Sequence, residues 1–205
     1  MSETFKSQIK DLVDDLKAVF THVGLGGEAA EYKLLTQSFL YKFLNDKFLH
    51  QAKAIDASNS YEKLIDMSEE DYSWLLKFIG TSTAWLKPDQ LIETLHRQQN
   101  EATFYETFEN TLNQIAIDNN DIFSVHTDGD TAIRLFDERP ITDNISDGSK
   151  RNEVAKAIIN LLARVKFDET IFSQGFDFFS TLFEYIIKDY NKDGGGKYAE
   201  YYTPH

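Results

Sequence analysis

Apolar residues recur at three- and four-residue steps along most of the chain, the spacing of one face of an α-helix. From Thr4 to Phe20 they are Phe5, Ile9, Leu12, Val13, Leu16, Val19 and Phe20. Gly24, Gly26 and Gly27 follow and read as a helix C-cap and turn. They lack the G-x-G-x-x-G spacing of a dinucleotide loop, and no strand is predicted before them. Glu28 to Ala54 predicts a longer helix with a wide aromatic face made by Tyr32, Leu35, Phe39, Leu40, Phe43, Leu44 and Phe48. That face is expected to form the domain core. Lys33, Lys42, Asp46 and Lys47 fall off it.

Ser60 to Lys77 continues the helical period, with an N-cap at Ser68 and acids Glu69, Glu70 and Asp71 in the next turn. These acids read as a helix start and not as a metal site. Trp74, Leu75, Phe78 and Ile79 are expected to be buried. Pro88 fits the first turn of a helix from Pro88 to Gln98. Thr103 to Ala116 repeats the pattern with Phe104, Phe108, Leu112 and Ile115. Two further helices are predicted, Asn152 to Phe167 and Phe176 to Tyr190.

Residues 118–149 break the pattern. Asp, Asn and Gly are frequent, and Pro140 intervenes. Ile122 to Val125 and Thr131 to Phe136 flank Asp128-Gly129-Asp130, which predicts a short hairpin or an acidic loop. The acids do not have EF-hand spacing, so a solvated turn is expected. The fold class is therefore mainly α, a multi-helix domain with at most a short β-hairpin near 122–136.

Composition narrows the picture. The 205 residues contain no Cys, which excludes disulfides, cysteine nucleophiles and thiolate metal sites. No apolar run approaches the roughly 20 residues needed to span a bilayer. The N-terminus lacks signal-peptide character, so an intracellular, cytoplasmic protein with no membrane partner is expected. The net charge of −13 is concentrated in residues 98–149, where 2 basic residues meet 11 acidic ones. Such a surface repels nucleic acid unless cations cluster locally.

Candidate chemistry is sparse. His22, His50, His96, His126 and His205 are scattered, with no H-E-x-x-H pair, and there is no G-x-S-x-G elbow. Gly194-Gly195-Gly196-Lys197 is followed by Tyr198 and has no upstream glycine, so it is not a phosphate loop. No catalytic residue and no metal site is expected within the chain.

One stretch carries a resemblance. Phe176-Asp177-Phe178-Phe179-Ser180-Thr181-Leu182-Phe183-Glu184-Tyr185-Ile186-Ile187-Lys188-Asp189-Tyr190 leads through Gly195-Gly196-Lys197-Tyr198-Ala199-Glu200 into Tyr201-Tyr202-Thr203-Pro204. It resembles the entry to the catalytic domain of the modification (methyltransferase) subunit of type I restriction-modification systems. There a D-x-F-x-x-L-Y-E-Y helix precedes a Gly-rich turn and an aromatic-aromatic-Thr-Pro element. Glu31-Tyr32-Lys33 and the following Leu34 to Asp46 are similar to a helix in that family's N-terminal domain.

The resemblance implies two regions, an N-terminal helical domain over 1–168 and the start of the S-adenosylmethionine-dependent methyltransferase domain over 169–205. It implies a cofactor-contacting stretch at Glu200, Tyr201, Tyr202, Thr203, Pro204 and His205, where rings cover the adenine and the Thr hydroxyl meets the carboxylate. The family's D-P-x-x-G-[ST]-G loop and N-P-P-[FY] element are absent from the chain. The chain is therefore expected to be truncated before the α/β methyltransferase sheet, and inert alone. The intact subunit would methylate the exocyclic amine of a flipped adenine. Its partners would be DNA, a specificity subunit and a restriction subunit. The competing expectation is a self-standing acidic helical interaction domain without methyltransferase activity.

Overall fold

A computed structural model of the chain describes residues 3–81, 83–123, 135–167 and 172. These are mainly helical: α1 (Glu3–His22), α2 (Ala29–Ile55), α3 (Tyr61–Ile65), α4 (Glu69–Ile79), a 3₁₀ turn (Pro88–Gln90), α5 (Ile92–Gln98), α6 (Phe104–Asp118), α7 (Asn120–Phe123) and α8 (Gly148–Arg164). No strand occurs among the described residues. None of the described helices is long and apolar enough to cross a membrane.

The predicted punctuation accounts for the boundaries. Gly24 (φ 91°) and Gly27 (φ 76°) turn the chain after α1 through the left-handed region that glycine enters without strain. Within that turn the Leu25 amide donates to the Phe20 carbonyl at 2.9 Å. Ser68 caps α4, its hydroxyl accepting from the Asp71 amide at 3.1 Å. The expected Ser60–Lys77 helix is interrupted at residues 66–68: α3, capped by Ser60, ends at Ile65, and Ser68 caps a separate helix, α4. Pro88 opens a 3₁₀ turn, and α5 begins only at Ile92. The last described helix starts at Gly148, earlier than its apolar period indicated, because Asp147 accepts from the Ser149 and Lys150 amides.

The core forms where α2 and α8 meet their neighbours. α1 and α4 pack on α2, while α1, α5 and α6 pack on α8. Phe20, Phe39, Tyr41, Phe48, Phe104, Phe108 and Phe136 are fully buried. Burying a ring of this size contributes about 1.5–3 kcal/mol, so the high aromatic content is the main source of cohesion. Tyr41 satisfies its hydroxyl by donating to the Gln90 carbonyl at 2.7 Å.

The structure differs from the sequence pattern in three places. First, Leu75 and Ile79 are buried, but Trp74 and Phe78 are 51% and 70% exposed. At 100° per residue these two lie on a different side of α4 from Tyr72, Leu75 and Ile79, and only the latter side meets the core.

Second, Lys42 is buried and Asp46 nearly so, although both fall off the aromatic face of α2. α2 is enclosed on several sides, so it has no broad solvent face on which charges could be placed.

Third, the irregular segment after α6 contributes Phe136, Ile141 and Ile145 to the core. The buried Glu109 carboxylate anchors it. That carboxylate accepts from the Ile141 amide (2.8 Å), the Thr142 amide (2.8 Å) and the Thr142 hydroxyl (2.6 Å). The centre of the expected hairpin, including Asp128-Gly129-Asp130, lies outside the described residues. Its first arm begins as helix instead, because the Ile122 amide donates to the Asn119 carbonyl at 3.0 Å and continues the turn as α7.

Candidate functional site

α2 presents Lys42, Asn45, Asp46, Leu49, His50 and Lys53 toward one pocket. Positions 42, 46, 49, 50 and 53 are related by three- and four-residue steps and so share a side of the helix. The start of α3, the start of α5 and the chain just after α8 supply the other walls. The pocket holds about 460 Å³, within the range that takes small ligands.

Its floor is an ion pair. Lys42 and Asp46 stand one helical turn apart, Nζ to Oδ2 2.9 Å, with side chains 4% and 10% exposed. Asp46 is also a structural hub. Its Oδ2 accepts from the Phe167 amide at 2.9 Å, and its Oδ1 accepts from Asn45 Nδ2 at 2.8 Å. Asn45 Oδ1 in turn accepts from the Ile92 amide at 3.0 Å. Two adjacent side chains of α2 thus fix both the start of α5 and the chain leaving α8.

Electrostatics pull Lys42 in opposing directions. Burial pushes its ammonium pKa below the usual lysine value, Asp46 holds it up, and the nearby Lys166 pushes it down again; the lowering prevails. The Lys42 ammonium also lies 5.6 Å from the centroid of the Phe167 ring. On the pocket wall, His50 stacks on Phe172 at 5.3 Å between centroids, and Phe172 also meets Phe43 at 5.6 Å. Glu62 and Glu93 line the pocket as well, and both face Arg97, at 3.7 and 3.3 Å.

A second feature is the exposed pair Trp74 and Phe78 on α4. Their centroids are 6.4 Å apart, and Lys77 lies 4.5 Å from the Trp74 centroid.

The pocket can bind and orient a small group. Among the described residues no cluster of three or more His, Asp or Glu could hold a metal ion. The stretch expected to contact cofactor, Glu200, Tyr201, Tyr202, Thr203, Pro204 and His205, lies outside the described residues, as does the helix predicted from Phe176 to Tyr190. The Lys42–Asp46 pair, His50, Lys166 and Phe172 were not singled out by their sequence pattern. A buried i, i+4 Lys–Asp pair has the same spacing as a solvated one, and only the enclosure of α2 distinguishes them. No family model, curated protein or solved structure matches the chain.

Proposed function

We propose that this chain is the N-terminal part of the modification subunit of a type I restriction-modification system. The intact subunit transfers a methyl group from S-adenosylmethionine to the exocyclic amine of adenine. One observation carries the reading: the run Phe176 to Tyr190, followed by Gly195-Gly196-Lys197 and then Tyr201-Tyr202-Thr203-Pro204. The described residues before that run are mainly helical, which agrees with the organisation it implies. Within the Leu34–Asp46 stretch that shares the resemblance, Lys42 and Asp46 form a buried ion pair.

In this proposal the helical region serves subunit assembly and closure around cytoplasmic DNA. Tyr201, Tyr202 and Thr203 form the lip of the cofactor pocket, flanked by Glu200, Pro204 and His205. The test is methyl transfer by the protein from the full reading frame, purified with its specificity subunit. Tritium from methyl-labelled S-adenosylmethionine is expected in duplex DNA as N6-methyladenine. Its absence from a folded, assembled complex overturns the proposal.

The exposed Trp74 and Phe78 favour a second reading, a self-standing acidic interaction domain. Paired surface aromatics of this kind mark protein contacts. A reading frame without the Gly-rich cofactor loop and the Asn-Pro-Pro element would decide for it.

A further inference from the structure

The pocket beside α2 has a polarity of its own. The Lys42 ammonium has three N–H donors, and among the described residues Asp46 is its one hydrogen-bond acceptor. The side chain is nonetheless almost wholly buried and lines the pocket. Lys166, close enough to disfavour the Lys42 charge, lines it too and is exposed. Asp46 is shared between Lys42, the Phe167 amide and Asn45. Lys42, Lys53 and Lys166 line the pocket against Asp46, Glu62 and Glu93, and Arg97 pairs with the last two, so the cations outnumber the carboxylates by one.

Phe167, Phe172 and Leu49 add apolar wall. Glu62 and Glu93 also face the pocket, and a single Arg97 stands against both. They disfavour a ligand with more than one negative charge.

We infer that this pocket binds a monoanionic organic carboxylate, its oxygens accepting from Lys42 and Lys166 and its apolar body lying against Phe167 and Phe172. A carboxylate oxygen placed there uses the Lys42 donors and separates Lys42 from Lys166 with a counter-charge. A phosphate monoester, a dianion near neutral pH, meets the same cations and also the repulsion of Glu62 and Glu93. The carboxylate has two sources, a free small molecule or the C-terminus of a polypeptide. Both offer the same group to the same cations, and they differ only in what extends toward the pocket mouth.

The test is an amide-resolved NMR titration of the 205-residue chain with benzoate, phenyl phosphate, and a capped tripeptide ending in Phe with a free or an amidated C-terminus. Benzoate is expected to shift the Ile92 and Phe167 amides with a Kd of about 1 mM, the affinity a ligand of this size reaches with one charged contact. Phenyl phosphate is expected to bind more weakly than benzoate. Preference for the free-acid peptide over benzoate assigns the chain terminus as source, and the reverse assigns the small molecule.

Lys166→Glu, an exposed change that leaves the core intact, is expected to weaken benzoate about tenfold, by reversing one contacting charge. Lys10→Glu, on the exposed side of α1, is the control and is expected to leave the titration unchanged. Three results would overturn the inference. They are no movement of either amide at about 10 mM probe, identical titrations of wild type and Lys166→Glu, and tighter binding of phenyl phosphate than of benzoate.

Discussion

Replacing Asp46 by Asn removes one charge and almost no volume; its single amide oxygen can still accept from the Phe167 amide, so the largest loss falls on Lys42. In the native chain the Lys42 ammonium is 2.9 Å from Asp46 Oδ2 and almost completely enclosed. Breaking a buried pair by removing one partner typically costs 3–5 kcal/mol, because a charge is left uncompensated. Lys42 has an escape that sets a ceiling. It can shed its proton, and neutralising a lysine with an ordinary pKa near 10.4 at pH 7 costs about 4.6 kcal/mol at 1.36 kcal/mol per unit. Burial has already lowered the Lys42 pKa in the native protein, so part of that cost is present before the mutation. The expected loss is therefore about 3–4 kcal/mol at pH 7.

The pH dependence has a definite sign. A lysine whose folded pKa lies below its unfolded pKa binds fewer protons in the folded state. Stability then rises as pH climbs from the folded pKa toward the unfolded one. Wild type and Asp46→Asn share this sign. The variant's window opens at lower pH, because its Lys42 pKa drops further. The deficit relative to wild type is full at low pH and shrinks by up to about 1.4 kcal/mol per unit as pH rises toward 9. Urea unfolding followed by far-ultraviolet circular dichroism at pH 7, 8 and 9 measures it. The double variant Lys42→Met with Asp46→Asn is expected to recover most of the loss, since an apolar replacement of a buried pair is often neutral. A deficit below about 1 kcal/mol at pH 7, or one that does not change with pH, would refute the reasoning.

Three other substitutions read other parts of the fold. Glu109→Ala removes the acceptor for three donors of the 141–142 segment; a loss of about 3–4 kcal/mol and faster amide exchange at Ile141 and Thr142 are expected by chemical denaturation and hydrogen exchange. Ser68→Ala deletes the α4 cap and is expected to cost about 1 kcal/mol, read as a lower urea midpoint at unchanged slope. Trp74→Ala with Phe78→Ala removes two largely exposed rings; thermal unfolding is expected to show a change within about 1 kcal/mol, and a larger loss would place them in the core after all.

The helices were legible because their signals are local. Ser68 announces α4 by a side chain that caps its own next turn, and Gly24 and Gly27 end α1 by a backbone conformation that few other residues adopt. The 3.6-residue period found the buried side of α6 for the same reason, since Phe104, Phe108, Leu112 and Ile115 all lie in the core, but only part of the buried surface of α2 and α8. What the sequence did not reveal depends on what packs around a helix. Trp74 and Phe78 continue an apolar run, yet only the side of α4 bearing Leu75 and Ile79 meets α2. Phe136, Ile141 and Ile145 have no period, because a carboxylate on another element, Glu109, holds their backbone in place.

The pocket shows the same division more sharply. By sequence Lys42 and Asp46 simply fall off the aromatic face of α2, four residues apart. Enclosure by the start of α5 and the chain after α8 changes their role without changing their spacing. The pair becomes the floor of a cavity, and Asp46 becomes the acceptor that fixes Phe167 just beyond the end of α8. A charge in that position stabilises the fold only through its partner, so selection for stability alone could have replaced both residues with apolar ones at little cost. Lys42 is both half of a buried pair and part of a cavity wall, so a role in the core and a role in binding make different predictions. The Lys166→Glu titration and the Asp46→Asn unfolding series separate these two roles, since the first changes binding without touching the core and the second changes the core directly.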